Sequence, residues 1–294
     1  MTGSSPYIEA GYVRMKFEPH LHTLHSDGQA SVASMFAACK AAGYEAVALT
    51  DHNTLSGLAE ARKVAAELDV VLIPGVEVTS FHGHAVVLGV SRVPEWRDLE
   101  ARGMDALAAE VHAEGGVLSV AHAASLGSPV CSGCAWEWAI EPVSVDFWEI
   151  LNSARLSTEV PVELWQQRLG DGGRIAPAGA GDVHSEAAAA VARAATYAYV
   201  RQRSPDGLMD ALRHRRVFAS EGTRLDFWLE RPDGAVALVG DEVSGDGWQP
   251  RSEPAAEFHS VEAGPGRCCV YATLRDAPGR LQAISAPIWM STSH

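Results

Sequence analysis

Short apolar runs in this chain end, again and again, on a histidine or a carboxylate. Val13 to Glu18 delivers His20-Leu21-His22, and Ala46 to Thr50 delivers Asp51-His52. Val70 to Ile73 leads through Pro74-Gly75-Val76 to Glu77, and Val117 to Ala121 delivers His122. Phe147 to Leu151 closes on Asn152, and Ile175 to Gly179 leads to Asp182-Val183-His184. Side chains alternate faces along a strand, so His20 and His22 project the same way and can grip one ion together. Polar groups that follow apolar strands collect at the carboxyl rim of a β/α fold. The chain must therefore place its strand ends side by side.

Helical patterns separate the runs. Val32 to Ala42 stops at Gly43, and Leu55 to Leu68 is Ala-rich and amphipathic. Trp96 to Glu114 reads as one helix ended by Gly115-Gly116, and Leu164 to Leu169 as another. Such alternation predicts an α/β, barrel-like architecture. After Gly222 the helical patterns vanish. Leu225 to Glu230, Ala235 to Val239, Cys269 to Leu274 and Leu281 to Ile288 read as short strands between Gly/Pro/Asp turns. The expected division is an N-terminal tail over 1–13, a barrel over 14–222 and a small β-rich unit over 223–294.

A chain of 294 residues with 47% apolar content can bury a real core. Its formal charge of -14 argues against a nucleic-acid partner, because a phosphate backbone wants a basic footprint. A small phosphorylated substrate is compatible with that charge where metal ions supply positive charge locally. Met1 to Gly11 has no apolar core of a signal peptide, and no run is long enough to span a bilayer. No membrane partner and a cytoplasmic location are expected; the sequence leaves the oligomeric state open.

His20, His22, His52, Glu77, His122, Asp182 and His184 obey the strand-end rule, and Asp27 lies a short way into the first loop. His84 precedes its apolar run, and a reversal through Phe81-His82-Gly83 would carry it back towards Glu77. A lone histidine is ordinarily a surface or core residue, and Asp27 and Asp182 each also fit helix caps. Capping does not explain so many ligand-competent groups at corresponding strand ends. Mixed imidazole and carboxylate ligation suits Zn, Mn or Fe. Glu77 offers two oxygens and is the natural bridge between ions. Asp51 is placed to fix the tautomer of a neighbouring ring, or to act as a solvated or capping residue. Asn152, Arg155 and Trp136 are candidate substrate contacts. His25 is a candidate proton donor to a leaving group, and Asp182 a candidate proton shuttle. Cys131-Ser132-Gly133-Cys134 reads as a loop with two incidental thiols or, less simply, as half of a structural zinc site.

These segments resemble the polymerase-and-histidinol-phosphatase (PHP) superfamily. His20-Leu21-His22 with Ser26-Asp27-Gly28, Leu49-Thr50-Asp51-His52-Asn53, Ala121-His122 and Gly181-Asp182-Val183-His184 are similar to its ordered motifs. Pro74-Gly75-Val76-Glu77-Val78-Thr79 with Gly83-His84 resembles a carbaryl-hydrolase-like branch, CehA/McbA. So do Cys134-Ala135-Trp136, Trp148-Glu149-Ile150-Leu151-Asn152, the segment from Ala211-Leu212 through Arg216-Val217-Phe218-Ala219-Ser220, and Ile284-Ser285-Ala286-Pro287-Ile288. The resemblance implies a distorted barrel of seven strands and two or three divalent ions. His20, His22, Glu77 and Asp182 would hold one ion, Glu77, His84 and His122 a second, and Asp27, His52 and His184 a third. His82 competes with His84 for its place. Gly181 stands where the superfamily usually has Ser, and Ala286 where the ending usually has Asn. The implied activity is metal-dependent hydrolysis of a small-molecule phosphoester by a metal-bridging hydroxide. Hydrolysis of an amide, carbamate or carboxylic ester is the alternative, and a non-catalytic scaffold the third.

Overall fold

A computed structural model describes residues 5–153 and 159–291. In chain order its first elements are α1 (Pro6–Glu9), β1 (Val13–Glu18), α2 (Val32–Ala41), β2 (Ala46–Leu49), α3 (Leu58–Leu68), β3 (Val71–Ser80) and β4 (Gly83–Leu88). They are followed by α4 (Leu99–Arg102), α5 (Met104–Ala113), β5 (Val117–Val120), β6 (Phe147–Asn152), α6 (Glu159–Gly170), β7 (Ala176–Ala180) and α7 (Glu186–Val191). Then come β8 (Ala195–Val200), α8 (Pro205–Arg213) and β9 (Val217–Ser220). The remaining described elements are all strands: β10 (Asp226–Glu230), β11 (Val236–Leu238), β12 (Glu242–Ser244), β13 (Gln249–Glu253), β14 (Glu257–Glu262), β15 (Arg267–Arg275), β16 (Leu281–Ser285) and β17 (Ile288–Ser291).

The fold is mixed α/β, a curled barrel-like sheet with additional β-structure. One sheet runs β12-β17-β15-β16-β9-β8-β1-β2-β3-β4-β5-β6-β7, with β14 paired to β15. β1, β2 and β3 are parallel, as are β5, β6 and β7. β4 runs antiparallel to both of its neighbours. Its first residues therefore start at the rim where the parallel strands finish. β10, β11 and β13 form a separate small sheet. The segment read as a tail carries α1. Tyr7 on it is buried and donates to the Phe227 carbonyl at 2.5 Å, and Ser5 Oγ donates to Asp226 at 2.8 Å.

The curl brings β7 back against β8, where one side chain links the two strands. Thr196 Oγ1 accepts from Gly179 N–H at 3.0 Å and donates to the Gly179 carbonyl at 2.9 Å. Gly179 is required there, since a Cβ would lie 2.4 Å from the Ala195 carbonyl oxygen. Helix starts follow local chemistry. Ser31, Ser185 and Ser204 accept from Ser34, Ala188 and Gly207 N–H groups, and Pro205 opens α8.

Three departures from the sequence reading have simple causes. The helix expected over Trp96 to Glu114 is broken into α4 and α5 at Gly103, whose φ is 78°. β3 continues beyond Ile73 because β4 pairs with it from Gly75 to Ser80. The strand expected over Leu281 to Ile288 divides at Ala286-Pro287, where proline offers no N–H to a ladder.

Behind the rim, Val76, Val78, Leu118, Val120, Trp148, Leu151 and Trp165 form one buried cluster. Burial of such side chains contributes roughly 1.5–3 kcal/mol each and fixes the strands that carry the polar groups.

Candidate metal centre

The β3–β4 hairpin sets Glu77 and His84 side by side. The Glu77 carboxylate, 1% exposed, is the hub of the rim. Its Oε2 lies 3.1 Å from His20 Nε2, 3.2 Å from His22 Nε2 and 3.0 Å from His52 Nδ1. Its Oε1 lies 3.0 Å from His84 Nδ1 and 3.2 Å from His122 Nε2. Asp182 Oδ1 lies 3.5 Å and 3.4 Å from the Nε2 atoms of His20 and His22. Nearer the solvent, Asp27 approaches His52 at 3.4 Å, His184 at 3.4 Å and His22 at 3.8 Å.

Three sets of donors converge closely enough to share ions: His20, His22 and Asp182; His52, Glu77 and His84; and His22, Asp27, His52 and His184. The first is buried and the last opens to solvent through Asp27. Ligand atoms around a tetrahedral ion with bonds of about 2.0–2.1 Å stand about 3.3 Å apart, the spacing seen here. Despite these short separations, several of the atoms are buried without a well-directed hydrogen bond: His20 Nε2, both ring nitrogens of His22, Glu77 Oε2 and His84 Nε2. Orphaned polar atoms are costly, and five at one place fit a cation that would satisfy them. The donor set suits Zn, Mn or Fe.

A second layer fixes ring orientation. His20 Nδ1 meets Glu149 Oε1 at 2.8 Å, and His122 Nδ1 donates to the Cys134 carbonyl at 3.2 Å. His184 Nδ1 donates to the Asp182 carbonyl at 2.9 Å. Carbonyl oxygens only accept, so His122 and His184 each carry a proton on Nδ1, which leaves Nε2 as the atom each would offer to an ion. Glu149 also accepts from His122 N–H and from Asn152. Glu18, fully buried, accepts from His20 N–H at 3.1 Å and Gly181 N–H at 2.8 Å, tying the end of β1 to the end of β7. A Cβ on Gly181 would lie 2.5 Å from Glu18 Oε2, which accounts for glycine there.

The electrostatics follow from burial against charge. Burial opposes protonation of His20 and His22, but Glu77 and Asp182 overcome it. His20 is held well above the usual imidazole value and His22 is pushed up to about 9. Burial works to raise Glu77, Glu149 and Asp182, yet His20 and the neighbouring rings hold each below its ordinary value, Glu77 well below. Burial lifts Glu18 to about 7 against the two N–H groups it accepts. Protons on His20 and His22 thus balance the buried carboxylates, and a divalent ion would take the place of those protons.

Backbone strain gathers at the same place. His122 has φ 28°, Asp182 φ 50° and Asn53, next to His52, φ 52°. Side chains other than glycine rarely adopt this conformation.

Of the residues expected at the site, His20, His22, Asp27, His52, Glu77, His84, His122, Asp182 and His184 are brought together. His82 is not. It is exposed, 3.3 Å from Glu137 and edge-on to Trp138, so the geometry favours His84 over His82. His25 turns its ring to Ser56 Oγ at 2.8 Å and Glu60 at 3.6 Å instead of the cluster. Among the described residues, Asp51 makes no hydrogen bond to a ring. It accepts from Thr23 N–H at 2.8 Å, Thr23 Oγ1 at 2.8 Å and Ser26 Oγ at 2.7 Å, and so shapes the loop that carries Asp27. The His52 ring, expected to take its orientation from Asp51, instead meets Thr79 Oγ1 at 2.5 Å through Nδ1, and Glu149 orients His20. Trp136 covers Gly83, and Asn152 engages Glu149. Arg155 lies outside the described residues. Beside the hairpin, a 490 Å³ cavity is lined by Thr79, Phe81, His82, Trp96, Leu99 and Trp138, among others.

Residues 18–128 match the PHP domain family. That segment holds every candidate ligand except Asp182 and His184. Among curated proteins, a 5'-3' exoribonuclease of Haemophilus influenzae is 36% identical over 72 residues, 24% of this chain and 26% of that protein. The chain thus spans about a quarter of that relative's length. A crystal structure from Bacteroides vulgatus, of a two-domain protein containing a predicted PHP-like metal-dependent phosphoesterase, superposes with TM-score 0.56 at 17% identity. The match covers 95% of this chain and 85% of that one, a likeness of fold. A lesion-specific endonuclease from Pyrococcus furiosus aligns with TM-score 0.45 at 13% identity, over 68% of this chain and 56% of its own. No described helix is long and apolar enough to cross a membrane.

Proposed function

We propose that this chain is a multinuclear metal-dependent hydrolase, most simply a phosphoesterase acting on a small-molecule substrate. The observation that carries the reading is Glu77: one buried carboxylate ringed by five imidazoles, with orphaned donors on both sides. His20, His22, Glu77 and Asp182 would hold one ion, Glu77, His84 and His122 a second, and Asp27, His52 and His184 a third. When bound, such ions polarise the scissile group and acidify water near neutral pH.

The protein's own contribution is orientation. Glu149 and the Cys134 carbonyl hold His20 and His122 with their Nε2 atoms facing Glu77. Glu18 keeps the β1 and β7 ends in register, so that Asp182 Oδ1 faces both His20 and His22. Asp182 is also the carboxylate placed to take a proton from attacking water. The open side at Asp27 admits substrate.

A second reading, hydrolysis of an amide, carbamate or carboxylic ester in the manner of the carbaryl-hydrolase-like branch, is favoured by the cavity walled by Phe81, Trp96, Leu99 and Trp138. It would seat an apolar group next to the hairpin. The exoribonuclease likeness raises RNA as a substrate, against which the charge of -14 weighs.

The test is turnover by protein loaded with Mn or Zn on aryl phosphate mono- and diesters, an aryl carbamate and single-stranded RNA. Phosphate release from the small esters, abolished by a chelator, is the expected result. Carbamate cleavage without phosphate release would install the second reading. Turnover that survives removal of all metal would overturn both.

A further inference from the structure

The segment from Ala123 to Trp138 crosses over the β3–β4 hairpin and is pinned to it. Glu137 N–H donates to the His82 carbonyl at 2.7 Å, Trp138 Nε1 donates to Ser80 Oγ at 2.8 Å, and Ala124 bridges Ala135. At its centre Cys131 and Cys134 form a disulfide. The small ring this closes touches two candidate ligands. The Cys134 carbonyl holds His122 Nδ1 at 3.2 Å. Gly133 lies so close to the hairpin that a Cβ would stand 2.0 Å from the Ser80 carbonyl and 3.1 Å from His84 Nε2. Cys134 is buried, while Cys131 is half-buried and reachable. The other cysteines, Cys39, Cys268 and Cys269, are unpaired.

We propose that the Cys131–Cys134 disulfide is a redox-operated latch that holds His84 and His122 in ligand geometry. The inference rests on the reading of Glu77, His84 and His122 as a metal half-site. A dithiol reductant opens the latch. One of its thiolates attacks Cys131 Sγ and the Cys134 thiolate leaves. The second thiol of the reductant then displaces Cys131. Two cysteine thiols form, the reductant becomes a disulfide, and its two protons pass to the cysteines. Freed of the ring closure, Gly133 and the Cys134 carbonyl no longer have one fixed position, and His122 loses the acceptor that sets its tautomer. Partners of this kind are worth about 10–100-fold in metal affinity.

Two measurements on the full chain test the latch. In the first, metal-stripped protein, oxidised or reduced with a phosphine and desalted, is followed by amide hydrogen exchange over 122–138. Reduction is expected to speed exchange there about tenfold. In the second, zinc-loaded protein in each state is challenged with a colorimetric chelator, and the reduced form should surrender zinc about tenfold faster. The double variant Cys131→Ser, Cys134→Ser should match the reduced protein in both assays and ignore the reductant. Equal exchange and equal zinc retention in the two states overturn the latch alone. A double variant that still responds to reductant also overturns it. Failure of both states to bind zinc overturns the metal reading and the latch with it.

Discussion

Carboxylates at the rim and carboxylates on the C-terminal strands are neutralised in opposite ways. Glu242 on β12, 41% exposed, sits between Arg174 and Arg267 at 2.8 and 3.0 Å, and Glu230 on β10 meets Arg251 at 3.2 Å. Their partners are permanent cations with no lone pair to offer. Glu77 is buried, and among the described residues its ion-pair partners are all imidazoles. An imidazole can give up its proton and present a lone pair to an incoming ion, whereas a guanidinium cannot. The surface pairs are finished structures; the rim is arranged to exchange protons for metal.

The largest effect should come from removing the hub. Glu77→Ala is expected to abolish stable retention of ions and lower metal-dependent turnover on the order of a thousandfold, checked by metal content and initial rates on one preparation. Next is Glu149→Gln, which keeps size but weakens the contact that orients His20. Titration calorimetry should show metal affinity reduced about 10–100-fold, with the fold retained.

His112 offers a sharper version of the contrast, because it is an imidazole outside the rim. Its Nε2 meets Asp146 at 2.7 Å, and Asp146 also accepts from Arg215 at 2.9 Å. The bond to Asp146 raises His112 above its ordinary value, against partial burial. Its folded state therefore favours the proton. The stabilisation is complete below about pH 6.5 and disappears as pH rises through the raised value. The side chain is 36% exposed, so screening keeps the effect small. Relative to His112→Gln, the wild type should lose about 1–2 °C of its melting advantage between pH 6 and 8. Smallest of all, Glu242→Ala should move Tm by less than about 2 °C and leave turnover unchanged. Comparable losses from Glu242→Ala and Glu77→Ala would break the contrast.

The rim was legible because each donor follows an apolar run and strand geometry forces such residues together. His84 was legible only through the reversal after Ser80, which β4 supplies by running antiparallel. Glu149 was hidden for the opposite reason. It lies inside the run Phe147-Trp148-Glu149-Ile150-Leu151, where a single charge gives no sign of facing the rim. Its signal was an acid that a buried strand would not tolerate without a partner. The Cys134 carbonyl is a backbone group and leaves no mark in side-chain chemistry. Asp51 misled through adjacency to His52, since consecutive residues in extended chain point to opposite sides. β8 was missed because its Ala and Tyr residues are buried on both faces, which erases alternation. The clasp between Thr196 and Gly179 depends on that unseen strand.

The left-handed backbone at Asp182 narrows what chemistry position 182 can ever carry. Asparagine and glycine would accept that twist with least resistance, yet neither supplies a negative oxygen. Glutamate and histidine could supply a donor, but only by bearing the torsional cost as well, as His122 already does. Any redesign of the rim for a different ion thus meets a conformational filter before it meets a question of affinity. The positions most worth altering are those, such as His52 and His84, where the chain asks nothing unusual of the residue that replaces them.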